Sequence, residues 1–475
     1  MACAPEAVLG ASSTLSLARP RKASKTAAML DHRNLRLTCI GAGMARKFRG
    51  AGGVPPALAP AVLADYDAII VGGGPAGLAA LSGLARVRRN VLLIDSGEYR
   101  NDPTRHAHDI LGFDGVTPAW LRFAARKQIS DYGTVDLVNG TVTAVQPQKN
   151  NTFFKVLADY PGNKSVSFTT RKVVLATGMQ DILPSTPGIK ENWGKGIYWC
   201  PWCDGHEHAD QDLGILAHLD SAVTSVREIL TLNTDIVLFV NGTDTPENRN
   251  ITTTKFPGWE TYLKLQNVRI ENRTLASITR LRDGASPYAD PSLPTHPEHD
   301  LFQVDFEDGQ NPVLRNAFFA DFPSEQHSNV GPEAGVALYG NKLAADGKGG
   351  LVTNVPGIFA IGDANSDNVT NVPHAFFTGK RTAVFLHVQL ERENSVAQIA
   401  AAGEKRDGEE SMMRDVWARM NEPGDITHAG IILNAIKTRP RRAVLTKSNT
   451  GSEGSASGIP VGVQAVIQSK MDFAR

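Results

Sequence analysis

Asp67-Ala-Ile-Ile-Val-Gly-Gly-Gly-Pro-Ala-Gly-Leu78 reads as an apolar strand, a glycine turn and the start of an alanine-rich helix. Gly72, Gly74 and Gly77 hold the three glycine positions of a dinucleotide fingerprint, with Pro75 and Ala76 between the last two. In such a turn the first glycine makes the tight bend, the second lets backbone approach a pyrophosphate, and the third lets helix and strand pack closely. The helix N-terminus beyond Gly74 offers free N–H groups to phosphates. Val91-Leu-Leu-Ile-Asp95 then supplies a second strand ending in an acid, at the distance expected for a ribose-binding carboxylate, with Ser96 beside it. Three glycines alone would be a weak signal; the strand before, the helix after and the acid beyond make it specific.

Cys200-Pro-Trp-Cys203-Asp204 is the second informative stretch, and the other cysteines, Cys3 and Cys39, lie far from it near the N-terminus. Two thiols at this spacing can close into a redox disulfide, or form half of a zinc site. A structural zinc needs four ligands, and no second cysteine pair exists to supply them. His206 and His208 lie too near the same pair for easy tetrahedral geometry, so the redox reading is preferred and no metal is expected.

Two further motifs flank the cysteines. Val173-Val-Leu-Ala176-Thr177-Gly178 is a strand with a small-residue turn, and Gly357-Ile-Phe-Ala-Ile-Gly362-Asp363 is a short apolar strand ending in Gly-Asp. A helical stretch from His374 follows. In this order the set resembles the flavoprotein disulfide reductases, in particular the thioredoxin reductase family, over roughly residues 65–390. The resemblance implies an α/β fold of two Rossmann-like dinucleotide-binding domains, the second inserted into the first. It implies an FAD-binding domain split into residues 65–190 and 330–395, around a dithiol-bearing, pyridine-nucleotide-like domain at 191–329. It also implies roles. Cys203 would stack on the flavin and add to its C4a position, Cys200 would meet the substrate, and Asp204 would serve as acid/base. Arg100, Asn101 and Asp363 would contact the cofactor. His374 and Ala375 would open a helix aimed at the flavin's pyrimidine carbonyl; the bland alternative for His374 is a helix-start residue with a surface hydrogen bond.

One departure matters most. A thioredoxin reductase needs a second glycine turn for NADPH, but here Leu213-Gly-Ile-Leu-Ala-His218-Leu-Asp-Ser-Ala222 keeps only Gly214. Side chains in that turn obstruct a pyrophosphate. The strand Asp235–Asn241 is followed by Gly-Thr-Asp-Thr-Pro-Glu, with Arg249 the first cation, an unfavourable surrounding for a 2′-phosphate. NADPH binding is therefore doubtful. The pattern resembles the fungal dithiol oxidases of this superfamily, which close disulfides in gliotoxin-type secondary metabolites. That resemblance implies a small-molecule dithiol as substrate, oxygen as acceptor and a homodimer. The alternatives are an NADPH-dependent disulfide reductase and a non-catalytic flavin-binding redox sensor.

The 475-residue chain balances 49 Lys+Arg against 49 Asp+Glu and shows no extended basic face, so nucleic acid is not an expected partner. No apolar run is long enough to span a membrane. Residues 1–64 are Ala-, Ser- and Arg-rich with only Glu6 and Asp31 as acids, resembling a transit segment or an extension upstream of the true domain. Seven Asn-x-Ser/Thr sites, at Asn139, Asn150, Asn163, Asn241, Asn250, Asn272 and Asn368, fit either a secretory lineage or chance. The location thus stays open between cytoplasmic and secretory. In the tail, 396–475, a second amphipathic helix is expected over Glu409–Met420 and a flexible stretch over 437–460.

Overall fold

The computed structural model describes residues 64–401, apart from residue 163 and residues 286–295. The N-terminal extension, the helix expected over Glu409–Met420 and the stretch 437–460 lie outside the described residues.

The first sheet grows from the opening motif. Strand β1 (Tyr66–Val71) is buried over its last four residues, and the helix α1 (Pro75–Arg86) follows the glycine turn. The strand β2 (Val91–Asp95) is buried throughout. Such apolar runs suit parallel strands covered on both faces. After the helix α2 (Pro118–Ile129), β3 (Val135–Asn139) pairs in parallel with β2. A hairpin of β4 (Thr141–Gln148) and β5 (Phe153–Tyr160) then leads into β6 (Lys164–Leu175), which pairs in parallel with β1. The other edge of β6 is taken by Ile358–Ala360, far along the chain, with Ile358 opposite Val173. The result is a nine-stranded sheet interrupted in sequence by a long insertion.

The insertion forms its own five-stranded sheet, in the order Arg269–Glu271, Ile236–Phe239, Leu213–Leu216, Ala317–Ala320, Ile197–Tyr198, all pairs parallel. A three-stranded antiparallel sheet of Leu275–Arg282, Leu301–Phe306 and Val313–Arg315 packs nearby through a shared apolar cluster. The chain leaves the first sheet through Met179–Asp181 and returns through Ser324–Gln326, and these two segments pair antiparallel. The fold is thus α/β, with an all-parallel sheet inserted into a mixed sheet whose central strands run parallel.

Among the described residues the returning chain closes with one long helix, Val372–Ala401. Small residues let it lie close to α1. A Cβ on Gly379 would stand 2.3 Å from the Ala76 carbonyl oxygen, and one on Gly83 would stand 2.6 Å from the Ala383 methyl. Carboxylates further along the helix reach the sheet's cations: Glu391 pairs with Arg89, and Glu393 with Arg171 and Lys172. Because the Gly379 neighbour is backbone, it cannot swing aside. Gly379→Ala is expected to cost about 1–3 kcal/mol in equilibrium denaturation, whereas Gly133→Ala, with nothing within 4 Å, should leave the midpoint almost unchanged.

Candidate functional site

Where the two halves of the first sheet meet, the ends of β1, β2, β6 and Ile358–Ala360 open on a cavity of about 350 Å³. Gly72 is bent into the left-handed region at φ +106°, and a Cβ there would meet the Ala176 carbonyl oxygen at 2.4 Å. Gly77 would strike the Gly72 carbonyl oxygen at 2.0 Å, so it serves helix–strand packing and does not line the cavity. Gly74 is different: nothing approaches a Cβ there closer than Tyr99 at 4.0 Å, leaving its backbone bare toward the cavity. Pro75 and Ala76 stand beside it in the wall. Ala176, Thr177 and Gly178 come in from the end of β6, and Gly362 and Asp363 from the returning strand. The buried Thr177 hydroxyl has no partner.

Asp95 takes another part than the expected direct ribose contact. Its side chain is buried outside the cavity wall, accepting from Gly73 N–H and Gly97 N–H at 3.1 Å each and from the Tyr99 hydroxyl at 2.6 Å. Arg126 of α2 pairs with it as well. The carboxylate therefore pins the glycine turn from below. Burial and the hydrogen bond to Asp95 push the Tyr99 phenol up to about 12, which keeps it a donor.

Ser96, Arg100 and Asn101 do line the cavity. Arg100 forks onto Asp181 at 2.5 and 3.0 Å and reaches Asp363 at 2.9 Å. Burial raises the Asp363 carboxyl, and Arg100 pulls against that shift. Asp181, on the exit segment, thus orients two expected cofactor contacts, and no local pattern in the chain marks it.

The final helix also departs from expectation. It starts at Val372, because Asn371 caps it by accepting the His374 N–H at 2.8 Å, and Pro373 needs no partner there. Ala375 lines the cavity together with Asn371 and Val372, whereas His374 does not. The His374 Nε2 instead meets Asp367 Oδ2 at 2.6 Å, the surface role that was the bland alternative. The Asn-Val-Pro sequence is the signal that could have placed this cap.

Cys200 and Cys203 are joined in a disulfide with a Cα–Cα distance of 5.2 Å. Cys200 opens the single turn Pro201–Asp204, its sulfur accepting the Cys203 N–H at 3.1 Å. Cys203 and Asp204 line the cavity and Cys200 does not, so the two sulfurs are inequivalent. Trp202 between them is 69 % exposed. Asp204 is buried; burial first, then the like charges of Glu298 and Glu207, hold its carboxyl well above the usual carboxylate range against the pull of Arg105. His106 and His108 also reach the cavity, with His106 Nδ1 3.5 Å from Glu298 and His108 Nε2 3.6 Å from Glu207. Their alternation in Arg105-His-Ala-His108 is a legible signal that sequence reading passed over.

Between the strand Leu213–Leu216 and the helix Leu219–Ile229 the described turn is Ala217-His218, with no glycine in it. Gly214 lies within the strand Leu213–Leu216, not in the turn, and a Cβ there would stand 2.4 Å from the Phe318 ring. His218 precedes the helix Leu219–Ile229 and pairs with Asp220 at 2.6 Å, while Lys255 reaches Asp220 at 2.5 Å. Thr243 Oγ1 already accepts the Leu219 N–H at 3.1 Å. Arg249, the first cation in sequence after the strand Ile236–Phe239, is held by Asp244 and Glu260 at 2.5 and 2.9 Å and so is neutralised.

The bare Gly74 backbone, the partnerless Thr177 hydroxyl and the cavity's reach from glycine turn to Cys203 fit FAD. The pyridine nucleotide-disulphide oxidoreductase family matches residues 66–221. A probable thioredoxin reductase of Arthroderma benhamiae is 47% identical over 349 residues, spanning 73% of this chain and 85% of its own. The thioredoxin reductase tcpT of Claviceps purpurea is 29% identical over 335 residues, 68% of this chain and 94% of that one. The crystal structure of HlmI aligns with a TM-score of 0.59 at 28% identity, over 71% of this chain and 96% of HlmI. Geometry and kinship agree: this chain belongs to the thioredoxin reductase-like disulfide oxidoreductases, FAD-binding enzymes of the pyridine nucleotide-disulphide oxidoreductase family.

Proposed function

We propose that this enzyme oxidises a small-molecule dithiol to a disulfide, using the Cys200–Cys203 pair and FAD, with oxygen as the final acceptor. In this reading residues 65–190 and 330–395 bind FAD, residues 191–329 carry the dithiol, and the protein acts as a homodimer, as the resemblance implies. The single observation that carries it is the inequivalence of the sulfurs. Cys203 faces the cofactor cavity with the buried Asp204, leaving Cys200 as the sulfur for substrate. The filled turn at His218 and the neutralised Arg249 favour a dithiol over NADPH as the electron source.

A substrate thiolate attacks Cys200 Sγ; a carbon-borne S–S bond forms and the Cys200–Cys203 bond breaks, leaving Cys203 as thiolate. The second substrate thiolate then attacks the substrate sulfur of the mixed disulfide and expels Cys200. Two electrons have passed from substrate to the protein pair. Asp204, kept protonated further up the pH scale by its surroundings, holds the proton that the departing thiolates need. Bound FAD supplies the two-electron acceptor that re-forms the disulfide and the outlet to oxygen, giving peroxide. The names of the relatives favour a second reading, an NADPH-dependent disulfide reductase on the same fold.

Three outcomes follow from the first reading. Without oxygen, a small dithiol such as dithiothreitol should bleach the flavin absorbance while NADPH leaves it oxidised; the reverse would establish the reductase. Cys200→Ser should retain FAD yet lose dithiol-driven oxygen uptake, and unchanged uptake would remove the pair from the reaction. Asp204→Asn should lower turnover roughly 10²–10⁴-fold. It should also delete a limb of the pH–rate profile lying above the ordinary carboxylate range, since the native group stays protonated to higher pH than a free aspartate.

A further inference from the structure

Arg105 sits on the loop between β2 and α2, the loop that also carries Ser96, Arg100 and Asn101 to the cofactor cavity. Its side chain is only 10% exposed, and among the described residues its ion-pair partners all belong to the inserted part of the chain. The guanidinium forks onto Asp300 at 2.8 and 3.0 Å, reaches Asp283 at 2.7 Å and pairs with Glu298. Asp300 is fully buried and Glu298 nearly so. Burial works against the Arg105 charge, but these carboxylates outweigh it and raise its pKa. Burial likewise opposes ionisation of Glu298, whose carboxyl is nonetheless held at about 2 by His106 and Arg105. Arg105, Asp283 and Glu298 are thus each shifted toward their charged forms.

The cluster leads directly to the cysteines. Glu298 Oε2 accepts the Tyr198 hydroxyl at 3.1 Å, and Tyr198 ends the strand that feeds into Cys200. Trp199, the residue between them, lies under Arg100 of the same cofactor-side loop, 5.4 Å from guanidinium carbon to ring centroid. A Cβ on Gly194 would come within 3.0 Å of the Pro103 and Thr104 backbone, so this loop also touches the insertion with almost no gap. A buried ion cluster resists separation because drawing the layers apart would strand carboxylates without their cation. Lysine could not replace the fork, having a point charge and no planar pair of donors.

We propose that Arg105 is a positioning residue: it clamps the dithiol segment onto the cofactor cavity through Asp300, Glu298 and Tyr198, so that substrate travels to Cys200 while the dithiol segment stays in place. The inference rests on the assignment of Cys203 to the cofactor face and is independent of whether dithiol or NADPH supplies the electrons. A thiol held against bound cofactor is shielded from reagents, which gives a readout apart from turnover.

The test uses the full-length, FAD-loaded protein, reduced without oxygen and treated with iodoacetamide, with alkylation of each cysteine followed by mass spectrometry. In the native protein Cys200 should react and Cys203 should be protected. In Arg105→Lys, Cys203 should react about tenfold faster, equivalent to about 1.4 kcal/mol of lost positioning, with FAD content and the Cys200 rate unchanged. Equal Cys203 protection in an FAD-replete Arg105→Lys protein would overturn the clamp. Should that variant not fold, Asp283→Asn serves instead, since Asp283 is the exposed partner and both buried carboxylates keep their cation. A smaller rise in Cys203 labelling there supports the clamp, and none overturns it. Anaerobic reduction by NADPH would sink the oxidase assignment and leave this labelling result standing.

Discussion

The two-sided pairing of β6 is the constraint on which the rest depends. β1 lies along one edge and Ile358–Ala360 along the other, so segments from both ends of the described chain stop at one level. That level is where Gly72, Ala176 and Gly362 converge. Sites at strand ends arise in this way, from topology before any side chain is chosen. The long helix after the returning strand can seal the arrangement only because Gly83 and Gly379 remove the methyl groups that would hold it off α1.

Charge burial gives the site its second character. The cofactor-side loop brings Arg100 and Arg105 inward, each to a pair or triad of carboxylates contributed by other segments. Such clusters add little net stability over well-packed apolar groups, but they fix geometry, because half a cluster is far worse than a whole one. Asp204 stands at their edge, near Glu298 and Glu207, with Arg105 pulling against those like charges. Burial raises its carboxyl, whereas Arg105 and Glu298 stay charged against that same burial because their opposite-charge partners outweigh it.

Steric requirements were legible in the chain and partnerships were not. The glycine turn could be read because a missing side chain is itself written in the sequence, and the Cys-x-x-Cys spacing because the disulfide is local. Asp95 is legible only in part: a carboxylate at a strand end looks the same whether it meets a ribose or Gly73 N–H, Tyr99 and Arg126. His374 was placed at the helix start, but the cap depends on where the Asn371 side chain folds back. Gly214 looked like the remnant of a turn although it makes room for Phe318 within a strand. Arg105 and Asp181 drew no notice, since their partners come from strands distant in sequence.

The crowding around Gly214 continues into the helix that follows. Phe239 and Phe318 meet edge to face beside it, with ring centroids 5.9 Å apart. Putting glycine back at position 218 would remove one imidazole and still leave the Asp220–Lys255 pair and the Thr243 hydroxyl at the helix mouth. Several concerted changes would be needed before any one of them brought a benefit. The helix mouth at His218 is therefore braced from several sides, and no single substitution strips it of side chains.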